Sequence, residues 1–500
     1  MNTQLKHLLI SIFASALTFA SGTQAAPQRD QFYWLTEMNK ASVVINADEN
    51  LLDKTLAKRI AKGISEVAAD AAKPGAKRPN KVIAYEPELI KKVGMDATML
   101  HIGRSSQDMH ASYNTMILRD YILSISEALA KTMQLLQDIA ERNIDTVVPN
   151  YTNGVAAQPN SYAHYLFGYL ASFERDQHKL KECYERINYS PMGTTVLNGT
   201  SWPLNRQRMS DYLGFKAPVL NAYDAAQTKP IDELIEISNV VTGIALHVGT
   251  FIQDVMTQYA QPRPWIILQE GGDNTYVSSA MPQKRNPGLL INTRKAASTV
   301  FGDAQTMLIR AHNIAPGFSD PKGASYWPTM EQTLAMLKSF DKCLTALRIN
   351  PKRALEELNL DWTASQEVAD VLMREYKLPF RVGHHFASQV VGYARTHDIK
   401  PLDFPYAEAK RIYSEVIKSE YPTGNPNLPM SEEQFKATLN PIEIIKNRKT
   451  AGGPQPAEMR KQLDIMEVSI KNQEKWTQEQ KQKINDALAK LDKDFAEYLK

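Results

Sequence analysis

The densest group of reactive side chains in this sequence is the run Ser278-Ser279-Ala280-Met281-Pro282-Gln283-Lys284-Arg285-Asn286-Pro287. A hydroxyl, an ammonium and an amide at this spacing are the donors that anion chemistry needs, and a hydroxyl beside a cation can be activated as a base. The turn formers Gly271-Gly272-Asp273-Asn274 precede the run and a helical pattern follows it, so it reads as a polar, mobile loop feeding a helix. By composition alone such a stretch is more often an irregular surface connection. What separates the two readings lies elsewhere in the chain.

The elements that must position this loop are helices. Leu234, Ile237, Val241, Ile244, Val248, Phe251 and Val255 step by threes and fours across about six turns without a proline, the spacing of a bundle helix. Leu118, Ile122, Ile125, Leu129, Met133, Leu136 and Ile139 repeat it, and long helical stretches read through Tyr162 to Arg186, Leu289 to Ala311 and Thr329 to Leu347. Strand-like alternation is scarce, and there is no internal repeat, so the expected class is mainly α. In the last thirty or so residues Ile484, Leu488, Leu491 and Phe495 form a narrow apolar stripe, expected on an amphipathic surface helix.

Composition narrows the function classes. At 43% hydrophobic and 23% charged, the 500 residues describe an ordinary globular chain of two or three domains. A formal charge of +3 is too close to neutral to imply a nucleic-acid partner. Lys6 and His7, the uncharged run Leu8 to Ala20 and the small-residue boundary Thr23-Gln24-Ala25 form an export signal, so the mature chain is expected to begin near Ala26, in the periplasm or outside the cell. The run is too short to span a bilayer, and no other segment is read as crossing a membrane. Cys183 and Cys343 could pair in an oxidising compartment but need not, and no Cys/His spacing resembles a zinc site.

The loop resembles the "GSSxMPxKxNP" signature of the fumarase/aspartase superfamily, and "SSAMPQKRNP" is especially similar to the version found in argininosuccinate lyases. His101-Ile102-Gly103-Arg104-Ser105-Ser106-Gln107-Asp108 is similar to that family's "HTGRSRND", and Tyr151-Thr152-Asn153-Gly154-Val155-Ala156-Ala157-Gln158-Pro159 to its "YTHLQRAQP". Leu378 to His385 and Asn447 to Gly453 read like segments of its third domain, so the likeness covers roughly Phe32 to Leu463. The resemblance implies a three-domain fumarase/aspartase-like fold with a central long-helix bundle, divided as 1–25 leader, 26–105, 106–362 and 363–500. It also implies a homotetramer that joins the central helices and builds each site from three chains, with no cofactor, no metal, and a small carboxylate as substrate.

What it implies for the site is specific. Ser278 would abstract a proton from the carbon beside a carboxylate, and Lys284 and Asn286 would bind that carboxylate, because the dianion formed needs preorganised donors and a cation. Thr152 would hold the same end, with Gln158 in the same motif, and Ser105, Ser106 and Gln107 fall where the family places a carboxylate-binding Ser-Arg-Asn. The departures matter as much. The family's acid, a His after the Thr, is Asn153, and an amide cannot deliver a proton at neutral pH. The glycine before the catalytic Ser is Val277, and the Tyr-Gln-Lys set that grips citrulline aligns with Phe318, Gly323 and Tyr326. His101, His164 and Tyr326 remain as acids or site-lining residues, though a lone His on a helix is more often a packing residue. The expected activity is a periplasmic lyase that breaks a C–N or C–O bond β to a carboxylate, with argininosuccinate itself an unlikely substrate. The alternatives are a cycloisomerase of the same superfamily and a catalytically silent binding or structural homologue.

Overall fold

The computed structural model describes residues 29–318 and 326–500. The expected export signal, with its boundary near Ala26, and Gly323 lie outside the described residues. The chain divides into two compact units, one of Met1–Tyr121, Asn188–Gln227 and Ile484–Lys500, the other of Ile122–Ile187 and Thr228–Lys483.

In the first unit, α1 (Gln31–Asp48) is nearly all core: apolar Trp34, Leu35, Met38 and Val43 are buried together with polar Thr36, Asn39 and Ser42. A helix buried on every side must satisfy its polar groups locally. The Thr36 and Ser42 hydroxyls do so by donating back one turn, to Phe32 O at 2.9 Å and Met38 O at 2.8 Å. Asp30 accepts the Tyr33 N–H at 2.9 Å and fixes where the helix starts. The long α2 (Ser106–Glu141), whose residues up to Tyr121 belong to this unit and the rest to the second, carries the second apolar repeat, with Leu118, Ile122, Ile125, Leu129, Met133 and Leu136 fully buried.

The second unit holds the antiparallel hairpin β1 (Val147–Thr152) and β2 (Val155–Ser161), then α3 (Tyr162–Ile187) and α4 (Lys229–Gln258). After α4 come β3 (Ile266–Leu268), the two-residue strands β4 (Tyr276–Val277) and β5 (Arg285–Asn286), α5 (Gly288–Ala311), α6 (Trp327–Ala346) and β6 (Leu347–Ile349). β3 pairs antiparallel with β6, and α7 (Pro351–Leu360) follows. α3, α4, α5 and α6 pack on one another, and the rings of Phe173, Phe251 and Phe340 meet at 5.3 to 5.8 Å in their midst.

All seven residues of the Leu234 to Val255 stripe are buried, each contributing about 1.5–3 kcal/mol through burial. The stripe is therefore satisfied inside a single chain and does not by itself require a second copy. α4 is also long and apolar enough to cross a membrane, which the sequence reading had not registered; half of its most apolar window is buried inside the unit. The closing helix α8 (Pro456–Ala496) is amphipathic but longer than expected. Its stripe begins at Met459, Leu463, Met466 and Ile470, all buried, and Ile484, Leu488, Leu491 and Phe495 are core residues too.

Cys183 and Cys343 are free and fully buried, and burial pushes both thiols up to about 12.

Candidate active site

β4 and β5 pair Tyr276 with Asn286 and Val277 with Arg285. The Ser278 N–H donates to Lys284 O at 3.4 Å, which carries the ladder one residue further. Because side chains alternate between the faces of a strand, this register puts Tyr276, Ser278, Lys284 and Asn286 on one face and Val277 and Arg285 on the other. Arg285 agrees with that division: it pairs with Glu270 at 3.1 Å and donates to Pro282 O at 2.8 Å. The base of the hairpin is fixed by short polar contacts. Leu289 N donates to Asn274 O at 3.0 Å, Gly271 N to Thr275 Oγ1 at 3.0 Å, and Asn274 Nδ2 to Gln269 O at 3.2 Å.

Ser278 sits where the loop turns back over its own hydroxyl. Its Oγ accepts the backbone N–H groups of Ala280 at 3.3 Å and Met281 at 3.2 Å, and its own hydrogen points to Met281 Sδ at 3.7 Å. Two converging amide donors form a small anion-binding concavity that favours a negative oxygen there. Lys284 is exposed, and among the described residues its ammonium has no partner. Asn286 gives one amide hydrogen to Tyr276 O at 3.3 Å and keeps the other. The positive end of the α5 dipole begins two residues beyond Asn286, so face, cation and dipole all favour a carboxylate.

Thr152 and Asn153 occupy the tip of the β1–β2 hairpin, both exposed. Thr152 pairs with Val155, leaving a two-residue loop in which Asn153 has φ 52° and Gly154 φ 80°. Positive φ at both positions defines the tight hairpin turn that Asn-Gly favours. Position 153 is thus chosen for its backbone, a constraint that the alternation and the Asn-Gly pair could have revealed in the sequence. Tyr151 accepts the Trp265 indole N–H at 2.9 Å, and Gln158 donates to Gln366 at 2.7 Å. Among the described residues no hydrogen bond joins this tip to the Ser278 loop. His164, half-buried at the start of α3, holds Gly452 O through Nε2 at 2.9 Å. Tyr326 is buried at 4% exposure and stacks on Trp327, while Phe318 is 62% exposed.

In the first unit, His101 is paired with Glu86. Ser105 accepts the Gln107 N–H at 3.3 Å through Oγ, Ser106 opens α2, and Gln107 is exposed. The organiser of this segment is Asp108, which the sequence reading did not single out. Its fully buried carboxylate accepts Ser105 N at 2.7 Å and Gly193, Thr194 and Thr195 N at 3.0 to 3.2 Å. Those contacts hold Thr195 and Val196 at φ 47° and 69°, strained for side chains with a branched Cβ. Burial pushes the Asp108 carboxyl up, and the backbone donors oppose it. Arg104, donating to Ser42 Oγ at 3.1 Å, is lowered by burial to about 10. Among the described residues no group of three or more His, Cys, Asp or Glu side chains is arranged to hold a metal ion.

A helical fold of this kind with a Ser-Lys-Asn hairpin matches known proteins along most of its length. A family model described as lyase matches residues 21–302, and one described as argininosuccinate lyase C-terminal matches residues 362–446. The argininosuccinate lyase of Methanocaldococcus jannaschii is 29% identical over 454 residues, which are 89% of this chain and 90% of the relative. That of Methanocorpusculum labreanum is 26% identical over 442 residues, 86% of each. The crystal structure of EDDS lyase in complex with formate shares the fold with a TM-score of 0.83 at 23% identity, covering 94% of this chain and 92% of that one. The chain belongs to this lyase family, within the fumarase/aspartase superfamily, and is an enzyme of the carbon–nitrogen lyase type.

The turn at Asn153 gives a direct test of why an amide stands there. A left-handed conformation costs a Cβ-bearing residue about 1–2 kcal/mol unless, like Asn, it is locally supported. Asn153→Ala should therefore raise amide hydrogen exchange in β1 and β2 by roughly fivefold or more, whereas Asn153→Gly should leave it near the parent value. Equal exchange in all three would remove the turn explanation.

Proposed function

We propose that the protein eliminates an amine from the carbon β to a carboxylate of a small dicarboxylate, releasing fumarate or a related unsaturated acid, with Ser278 as the base. The observation that carries this reading is the pair of backbone N–H groups, from Ala280 and Met281, on Ser278 Oγ. A serine hydroxyl is ordinarily far too weak an acid to ionise, and those donors together with the Lys284 charge lower the cost of its alkoxide. Proton removal spreads charge into the adjacent carboxylate, which Lys284 and Asn286, on the same face, are set to hold. Phe318 and Tyr326 stand where the resemblance puts a citrulline-gripping Tyr and Lys. This argues for a leaving amine other than the one in argininosuccinate.

The reading includes self-association as a homotetramer. The support is an open groove of about 790 Å³ lined by Tyr169, Leu246, Gly249, Arg294, Ala297 and Phe301, beside Leu246 at 52% exposure. Apolar surface facing outward from α4 and α5 is what an isologous helix interface would cover. In such an assembly Thr152 of one subunit would serve the Ser278 of another. Light scattering should give four chains per particle at micromolar concentration, and a stable monomer would remove the shared site.

Loss of a positioned base costs several orders of magnitude, because each 1.4 kcal/mol is about tenfold in rate. With N-substituted aspartates and the ultraviolet absorbance of the new double bond as readout, Ser278→Ala should abolish turnover. Near-normal turnover in that variant would show the base to be another group. A wild type silent on the whole panel would instead favour a binding protein.

A further inference from the structure

We propose that Tyr276 donates the proton to the departing amine; the proposal rests on the elimination reading of the Ser278 site. A nitrogen that enters unprotonated, such as that of an arylamine, cannot leave as its anion, so its departure needs an acid, and the positions first suspected are otherwise engaged. Asn153 is an amide held in a left-handed turn. His164 has its Nε2 on Gly452 O at 2.9 Å.

Tyr276 meets the geometric requirement that those residues miss. It pairs directly with Asn286, so its side chain rises from the same face as Ser278, Lys284 and Asn286. Two residues along the strand separate it from Ser278, a span of about 6.6 Å between Cα atoms, the scale of a small dicarboxylate. Its ring is 56% exposed, and among the described residues its hydroxyl has no partner. An exposed aromatic with a free hydroxyl beside a base and a carboxylate clamp is placed to meet the substrate.

Gly288 leaves room for the ring against the first turn of α5. A Cβ at 288 would stand 3.0 Å from Tyr276 Cδ1, so the ring would have to give by a few tenths of an ångström. A substrate seated on the shared face meets the base at one strand position and the phenol two residues along.

The step balances without a further reactant. The C–H bond β to the nitrogen breaks, and its proton goes to the Ser278 alkoxide. The released pair forms the C=C bond, the C–N bond breaks with its pair on nitrogen, and nitrogen takes the Tyr276 proton. The resulting tyrosinate is reprotonated from Ser278 through water, which restores both groups for the next turnover.

The test separates proton donation from packing by changing the leaving group. Wild type and Tyr276→Phe would be assayed for kcat on an N-aryl aspartate, whose nitrogen is unprotonated at neutral pH and must gain a proton to leave, and on bromosuccinate, whose bromide needs no proton. The phenylalanine keeps the ring against Gly288. Tyr276→Phe should lose about 10²–10⁴-fold on the N-aryl aspartate and stay within about threefold of wild type on bromosuccinate. An equal loss on both substrates, or no loss on either, would overturn the acid role while leaving the elimination reading intact. A wild type inert towards both would overturn the elimination reading, and the acid role with it.

Discussion

Two backbone pairings, Tyr276 with Asn286 and Val277 with Arg285, fix the relation of Tyr276, Ser278, Lys284 and Asn286 on the hairpin. Strand side chains alternate, so a slip of one residue would exchange the faces, turning Arg285 towards the substrate side and Lys284 and Asn286 away from it. A hairpin of two-residue strands has little stability of its own. Its register is held by what flanks it: Asn274 O on the Leu289 N–H, Thr275 on Gly271, and the Tyr276 ring on Gly288. The four-helix packing of the second unit matters to function chiefly because it supplies α5, the platform on which that hairpin is built.

The same economy governs two other positions. At position 153 the backbone conformation constrains the side chain, and Asn-Gly closes a two-residue turn that few other pairs could close. At Asp108 a fully buried carboxylate supports four backbone N–H groups, and so orders both the Ser105 to Gln107 segment and the strained loop at Thr195 and Val196. Burial without those donors would leave the carboxylate neutral or the loop unheld.

Much of this was legible in the sequence because long helices write their burial as a periodic stripe. Leu234 to Val255 and Leu118 to Leu136 are buried as their spacing implied. The Ser-Lys-Asn signature was legible because it is long and specific. Other features were hidden for physical reasons. Two-residue strands carry no alternation to read, so the shared face of Tyr276 and Ser278 emerged only with the register. An apolar stripe does not say whether its partner lies in the same chain, and α4 found its partners in α3, α5 and α6. The polar spacing of α8 concealed how far back its stripe runs, and Asp108 looked like any acidic residue at a helix start.

The central claim is that one positioned group removes one particular proton from the carbon beside the carboxylate. Running the reaction in reverse, with fumarate and methylamine in deuterium oxide, reads this directly by proton magnetic resonance of the N-methylaspartate formed. A base fixed on the hairpin face delivers its deuteron from one side, so every product molecule should carry a single deuterium at one of the two positions of that carbon. Deuterium spread equally over both positions would contradict the account.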